Sequence, residues 1–509
     1  MLKLELYANY LYILVMVIIM KNTSIWLNEG RKKFYSKLDH DLDVDVLIIG
    51  GGITGISTAY HLSNSNLKIG LVEKNKLCQG VTSRTTGKLT YLQDNIYSKI
   101  KNVHGEVKSR LYLKSQIEAI NLVKSIVDKH EIDCNLEKVD SYAFTDDVDV
   151  FNLEKEIDLL TNFDVSLKLT DHLPNKVEVN SSFFVSDTYV FHPLKYLYKL
   201  IDLINDRGVE IYEDTRILSI DKEDDYFICK TDDVFIRAKY VVLAVHYPYF
   251  LFPFLMPFKS YLEKSYIGAY KVFKDHKFSA ISISKPVVST RFHNEGVDTY
   301  QLYLTNSHNC CVKNNEKNNF SELLAKNDLK PDYLWSNKDI MTNDYLPYIG
   351  RLNDSNLLIS TGYNTWGMTN GSLAGKILAD IILNRKNVYI ELFNPHRKLN
   401  LGSFVNFPVV LLSSAYSFIK TKLSKNKNWY SDRVRFEKRN GVDVGIYIDE
   451  HGVKHMVYNL CPHMKCGLIF NEVEKTWDCP CHGSRFDIDG KVIEGPSNYS
   501  ITYKNTNDS

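Results

Sequence analysis

The spacing of apolar residues changes along the chain, and each change marks an element. Val44–Ile49 is a continuous apolar, β-branched run without helical period, as expected of a strand buried on both faces. Ile53–Leu62 reads as a helix and Lys68–Val72 as a second buried strand. Residues 97–130 and 151–163 read as helices, with Leu113, Ile117, Ile120, Leu122, Val123 and Ile126 at core-facing spacing. His192-Pro193 suits a helix entry, with proline in the first turn of a helix ending near Gly208. Short alternating runs at Gly208–Tyr212, Thr215–Ile220, Asp225–Thr231 and Val234–Ala238 predict an antiparallel meander, followed by a buried strand at Tyr240–Ala244. Strand-like pieces at Tyr266–Tyr270, Ala280–Ser284 and Tyr300–Leu304 predict a second sheet. Leu357–Ser360 is another strand, leading through Thr361–Gly371 into a helix over Ser372–Leu383.

The join between the first strand and the first helix carries chemistry. Gly50, Gly52 and Gly55 have the G-x-G-x-x-G spacing, which suits a tight turn, backbone approach to a pyrophosphate and close packing of the helix on the sheet. The helix N-terminus at Ile53 and Thr54 offers free N–H groups to an anion. Glu73 ends the second strand, about 20 residues on, where an acid suits the ribose hydroxyls of an adenine dinucleotide. After Lys74, the hydroxyls and cations of Thr82, Ser83, Arg84, Thr85, Thr86 and Lys88 form a dense donor set, which alone would also fit a polar surface loop. The glycines at 362 and 367 precede another helix N-terminus, placed to face an electron-rich atom such as those of a flavin pyrimidine ring.

The chain has 509 residues and 44% hydrophobic content, enough for two to four domains at about 150 residues each. A net charge of +1 argues against a general nucleic-acid or acidic-lipid surface. The apolar stretch Leu6–Met20 is short for a spanning helix, Asn9 interrupts it, and no small-residue cleavage site follows. An anchor, an added helix and an over-long gene start remain open. The last is preferred, with a cytoplasmic protein expected and peripheral contact with the inner membrane face as the alternative. Phe404–Ile419 is also too short to span and contains Pro408.

Over 44–395 the chain resembles the FAD-dependent D-amino-acid oxidase superfamily, which includes glycine and sarcosine oxidases. The matching residues are the glycine fingerprint, Glu73, the Gly80–Thr90 segment, LPYIG at 346–350 and TGYNTWGMT at 361–369. The resemblance implies FAD, with backbone near Ile217 touching adenine and Gly367, Met368 and Thr369 at the flavin O2/N1 edge. No second dinucleotide fingerprint is present, and no Cys or His in 80–90 suggests covalent attachment. The implied substrate is a small amine or amino acid. Arg291 is the candidate anion anchor, with Tyr266 and Tyr363 as aromatic walls.

The C-terminal segment holds CPHMKC at 461–466 and CPCHGSRF at 479–486. Two Cys and two His could bind zinc. The spacing instead resembles the Rieske [2Fe–2S] domain, which implies Cys461, His463, Cys479 and His482 as ligands and a disulfide between Cys466 and Cys481. Flanking strands at Val442–Ile448, Lys454–Asn459 and Thr476–Asp478 suit a small all-β module, with His451 and His455 on its surface. The resemblance places Ser484 as a hydroxyl donor to sulfide. Phe486 stands where high-potential members carry a tyrosine, so a middle or lower potential is expected in the range of about −150 to +300 mV.

The expected fold is an α/β FAD-binding, Rossmann-like domain with an inserted antiparallel-sheet substrate domain, followed by an all-β Rieske domain. The expected division is 1–40 extension, 41–395 oxidoreductase (substrate pieces about 105–185 and 255–340), 396–428 linker and 429–509 Rieske module. The expected reaction is amine or amino-acid oxidation, with electrons relayed through the cluster to an external protein or quinone. The alternative is an electron-transfer or reductase protein that oxidises no amine. A Rieske oxygenase would need a separate iron held by two His and a carboxylate, and no convincing His pair stands out in the sequence.

Overall fold

The computed structural model describes residues 21–503, except 22, 29, 147–149, 248–258, 275, 285, 310–319, 321–322, 324–329, 354, 399–432, 482 and 498. The expectations for Leu6–Met20, Phe404–Ile419 and His482 lie outside the described residues. Among the described residues, no helix is long and apolar enough to cross a membrane.

The glycine-fingerprint strand, Leu42–Ile49, lies near the middle of an eight-stranded sheet. It pairs in parallel with Ile69–Val72 on one side and Phe235–Leu243 on the other. The parallel run continues through Leu357–Thr361 and, at the far side, Glu210–Tyr212. Two expectations change here. Glu210–Tyr212 is no part of a meander but an edge of the parallel sheet. Val234–Ala238 and Tyr240–Ala244 fuse into one strand, Phe235–Leu243. Its first half pairs with the hairpin Ser219–Glu223/Tyr226–Lys230 and its second half with Leu357–Thr361. A short alternating half and a continuous apolar half thus belong to one strand with different surroundings.

Helices Ile53–Leu62 and Gly367–Ile382 cross in close contact. A Cβ on Gly371 would lie 2.7 Å from the Ile53 side chain, and one on Gly375 would lie 2.4 Å from that of Ser57. The glycines at 367, 371 and 375 recur every fourth residue, so two of them form a flat strip where the helices touch. The periodic helix expected over 97–130 is divided at Gly105, at φ +84°, into Ile96–His104 and Glu106–His130.

The second sheet has nine strands, running from Pro331–Thr342 through Ser260–Val272 to Glu178–Val190 and Lys88–Leu89. It is mainly antiparallel, with one parallel pair between Phe278–Ser282 and Glu137–Thr145. C-terminally, Val434–Arg439, Val442–Ile448 and Lys454–Tyr458 form a three-stranded sheet. Ile469–Asn471, Thr476–Asp478, Arg485–Phe486 and Val492–Glu494 form a four-stranded one. Trp477, Phe470 and Tyr447 fill the core of this module.

Candidate functional site

A cavity of about 690 Å³ opens at the C-terminal ends of the parallel strands, where open α/β sheets take their ligands. Gly50 turns the chain there at φ +112°, and a Cβ would lie 2.5 Å from the Ala244 carbonyl oxygen. A Cβ on Gly55 would fall 1.9 Å from the Gly50 carbonyl oxygen, so only glycine lets the helix start this close to the strand. Glu73 accepts from the Gly51 N–H at 2.9 Å and the Asn75 N–H at 3.0 Å, which fixes its carboxylate at the cavity edge. Each oxygen keeps a lone pair for a ribose hydroxyl. Thr82 Oγ1 accepts from the Ile53 N–H at 3.1 Å and retains its own proton to donate. Lys74, Thr85, Ile217, Gly362, Tyr363, Gly367 and Met368 complete the lining that the sequence predicts. A glycine cradle, two helix N-termini and an acid at the edge fit an adenine dinucleotide.

Other predicted residues face elsewhere. Thr86 is outside the lining, and its carbonyl accepts from Arg291. Lys88 is buried in the edge strand of the second sheet and donates to the Ala280 carbonyl and Ser289 hydroxyl. Burial, with Arg291 adding its charge, lowers the Lys88 ammonium to about 7. Thr369 turns its hydroxyl to Gln116 Oε1 at 2.7 Å, within a buried network of Gln93, Gln116, Tyr112 and Asn370. None of these side chains lines the cavity.

Of the three expected substrate residues, Arg291 and Tyr266 lie outside this lining and Tyr363 lies within it. Arg291 is 1% exposed and lies away from the cavity. Its guanidinium donates to the carbonyls of Thr86, Gly87, Phe191 and Phe292, tying the donor loop to two strands. Tyr266 is buried against Phe320, ring centroids 4.7 Å apart, outside the lining. Tyr363 does line the cavity, with its hydroxyl fixed between Thr54 Oγ1 and Ser360 Oγ at 2.6 Å each. Burial raises that phenol to about 12.

Sequence reasoning missed the far wall. Leu262, Lys338, Asp339 and Ile340 line it from adjacent strands of the second sheet. Their strands, Ser260–Val272 and Pro331–Thr342, mix charged, polar and apolar residues, so local spacing does not single them out. It also missed Asp344, which holds the LPYIG loop. Arg397 meets its two oxygens at 2.6 and 2.7 Å and donates to the Pro347 carbonyl. Burial pushes the Asp344 carboxyl up, but Arg397 and His104 outweigh it and hold the group below the usual carboxylate range.

The structure does bring two His and a carboxylate together: His192, His293 and Glu295. His192 caps its helix, with Nδ1 accepting the Lys195 N–H at 3.2 Å, so that ring nitrogen is engaged by the backbone. His293 bonds Glu295 at 2.9 Å, and both rings pack edgewise on Trp26. The trio is a packed core around Trp26.

In the C-terminal module, Cys461 and Cys479 are buried neighbours. Hydrogen bonding from the Cys479 thiol, with Ser484 adding, holds the Cys461 thiol down at about 6 against burial. Ser484 Oγ accepts from the Ser497 N–H at 2.9 Å, leaving its proton for a sulfur. His463 sits on the exposed side of the same loop. Cys466 and Cys481 are joined as a disulfide between the loops. Two adjacent thiols, an imidazole and a hydroxyl donor fit a [2Fe–2S] cluster. His455, expected as a surface residue, is instead half-buried and held by Asp489 at 2.7 Å.

The profile of FAD dependent oxidoreductases matches residues 45–295, and that of the Rieske [2Fe-2S] domain matches 421–504. The chain is an FAD-dependent oxidoreductase carrying a Rieske [2Fe–2S] domain, with FAD and the cluster as its cofactors. It belongs to the family of YhfW from Bacillus subtilis (strain 168), named as a Rieske 2Fe-2S iron-sulfur protein. The two are 32% identical over 488 residues, covering 93% of this chain and 95% of that protein. Gamma-glutamylputrescine oxidoreductase of Escherichia coli (strain K12) is 21% identical over 434 residues, 79% of this chain and 99% of that protein. The crystal structure of glycine oxidase from Geobacillus kaustophilus superposes with a TM-score of 0.58 at 14% identity, covering 70% of this chain and 100% of that one. That likeness concerns the fold.

Proposed function

We propose that the chain oxidises a small amine or amino acid and passes the electrons through the Rieske cluster to an external protein or quinone. One observation carries the relay. Lys338 lines the flavin cavity and donates to the Gly483 carbonyl at 2.9 Å, so the cluster-bearing loop rests on the cavity wall. When bound, FAD accepts two electrons from a substrate and the cluster passes them on singly. The amine is favoured by the relative named for gamma-glutamylputrescine. Asp339 lines the same wall, and burial, with Glu263 adding its charge, pushes its carboxyl up to about 7. It is placed to take the proton that a protonated amine must lose before oxidation. Tyr363 supplies an aromatic wall whose hydroxyl stays protonated. The Cys466–Cys481 disulfide belongs to this reading of the working protein, and a thiol titration of the folded chain tests it. We place that protein in the cytoplasm.

Anaerobic titration with amino acids and secondary amines tests the reading, with flavin absorbance and the Rieske electron spin signal followed together. Bleaching of the flavin by one compound, followed by appearance of the cluster signal, is the expected result. Its rate should rise with pH to a plateau with an inflection near 7, because only the ionised Asp339 accepts a proton. Reduction of both centres only by a partner protein or chemical reductant would establish the electron-transfer alternative.

A further inference from the structure

The flavin cavity is not closed by the oxidoreductase domain alone. Lys491, Val492, Ile493, Glu494 and Gly495 of the Rieske module line it together with Gly51, Gly52, Glu73 and Lys74. We propose that this Rieske segment is part of the FAD-binding wall, so that the cofactor site of one module is completed by the other. The inference rests on FAD occupying this cavity and is independent of the substrate.

Three contacts hold the segment against the cavity. The first is a buried charge network centred on Glu474, which is 10% exposed. From its own module it takes Arg485 at 2.7 Å and Asn471 at 3.0 Å. From the oxidoreductase domain it takes the Ser336 hydroxyl at 2.7 Å, Lys264 at 3.3 Å and Arg84 at 3.6 Å. Arg84 itself lines the cavity. A carboxylate out of water, paired across two modules, is costly to pull apart. The second is Lys338, between the Gly483 carbonyl at 2.9 Å and Glu494 at 4.0 Å. The third is steric: a Cβ on Gly483 would lie 2.5 Å from Leu262, another lining residue, so the cluster loop meets the wall at backbone distance.

Lys491 is exposed and is the one cationic residue that the segment Lys491–Gly495 contributes to the lining. Ile493 is half-buried and lies on the lining itself. FAD binding and module docking should therefore strengthen each other, since linkage between two binding events is reciprocal.

The test is FAD dissociation from the full-length holoprotein on dilution, followed by flavin fluorescence, with the Rieske absorption and electron spin spectra recorded on the same samples. Ile493→Trp, which fills the wall, and Lys491→Glu, which reverses an exposed charge, are each expected to weaken FAD retention by about tenfold with the cluster spectra unchanged. Lys491→Arg should retain FAD as wild type does. Should Ile493→Trp disturb the cluster, the exposed Lys491→Glu decides. Wild-type FAD retention in Lys491→Glu, and in any Ile493→Trp protein with an intact cluster, would overturn the proposal, as would a wild-type chain that holds no FAD. A chain that passes this test but is bleached by no amine keeps the shared FAD site and loses the proposed reaction.

Discussion

The flavin cavity is lined at its phosphate end by backbone and small side chains at strand ends. The cluster loops instead present thiols and an imidazole from turns on two thin sheets. In the first cradle the specific element is an absence: no Cβ fits on Gly50 or Gly55. In the second it is a set of named atoms. A cradle made of backbone fails when any side chain is added, whereas a cradle made of ligands fails when one is removed. The difference also explains why the surroundings matter unequally. The glycine turn is supported by a large parallel sheet, and the cluster loops are supported by docking on the neighbouring domain.

The largest expected effects separate the two cradles. Gly55→Val should abolish FAD retention, since its Cβ would start 1.9 Å from the Gly50 oxygen, while the Rieske spectrum persists. Cys479→Ala should do the reverse, losing the cluster and keeping the flavin absorbance. Loss of both centres in either variant would show that the cradles do not fold separately.

Arg397→Ala leaves Asp344 buried without its guanidinium and should cost roughly 3–5 kcal/mol, read as a fall in thermal midpoint. The pH dependence has a defined sign. Asp344 is held below its ordinary value in the fold, so its contribution is present above about pH 4 and is lost as the pH falls further. The variant should therefore lose less stability on acidification than the wild type does.

Arg291→Gln sharpens the contrast on the substrate side. A guanidinium engaged by backbone carbonyls should cost on the order of 1–3 kcal/mol when removed, through acceptors left unpaired. The substrate concentration for half-maximal flavin reduction should stay unchanged. A large rise in that concentration at unchanged thermal midpoint would restore Arg291 as the anion anchor.

The smallest effect tests the cluster's tuning. Phe486 is fully buried beside the cluster loop, and Phe486→Tyr offers a new hydroxyl donor. One hydrogen bond of about 1–1.5 kcal/mol corresponds to roughly 40–60 mV for a one-electron centre, so the potential should rise by that amount in a redox titration. No upward shift would remove the argument from Phe486.

Much of this protein was legible in order along the chain. A glycine fingerprint, a buried strand and an acid at fixed spacing determine a dinucleotide cradle because all three act within one strand–helix–strand unit. C-x-H and C-x-x-H loops determine the cluster because metal ligands must be particular side chains at short spacing. The tertiary structure alone decided which residues of the donor loop face the cavity. Thr82 and Thr85 line it, while Thr86 and Lys88, within six residues of Thr82, support the sheet behind it. It also engaged Arg291 with backbone carbonyls, gathered His192 and His293 around Trp26, and brought Lys491–Gly495 to a cavity whose glycine turn lies more than 400 residues earlier. The physical reason is the same each time. Spacing within one element is set by backbone geometry, but a side chain's partner across the molecule is set by how separate sheets pack, and local periodicity carries no record of that packing.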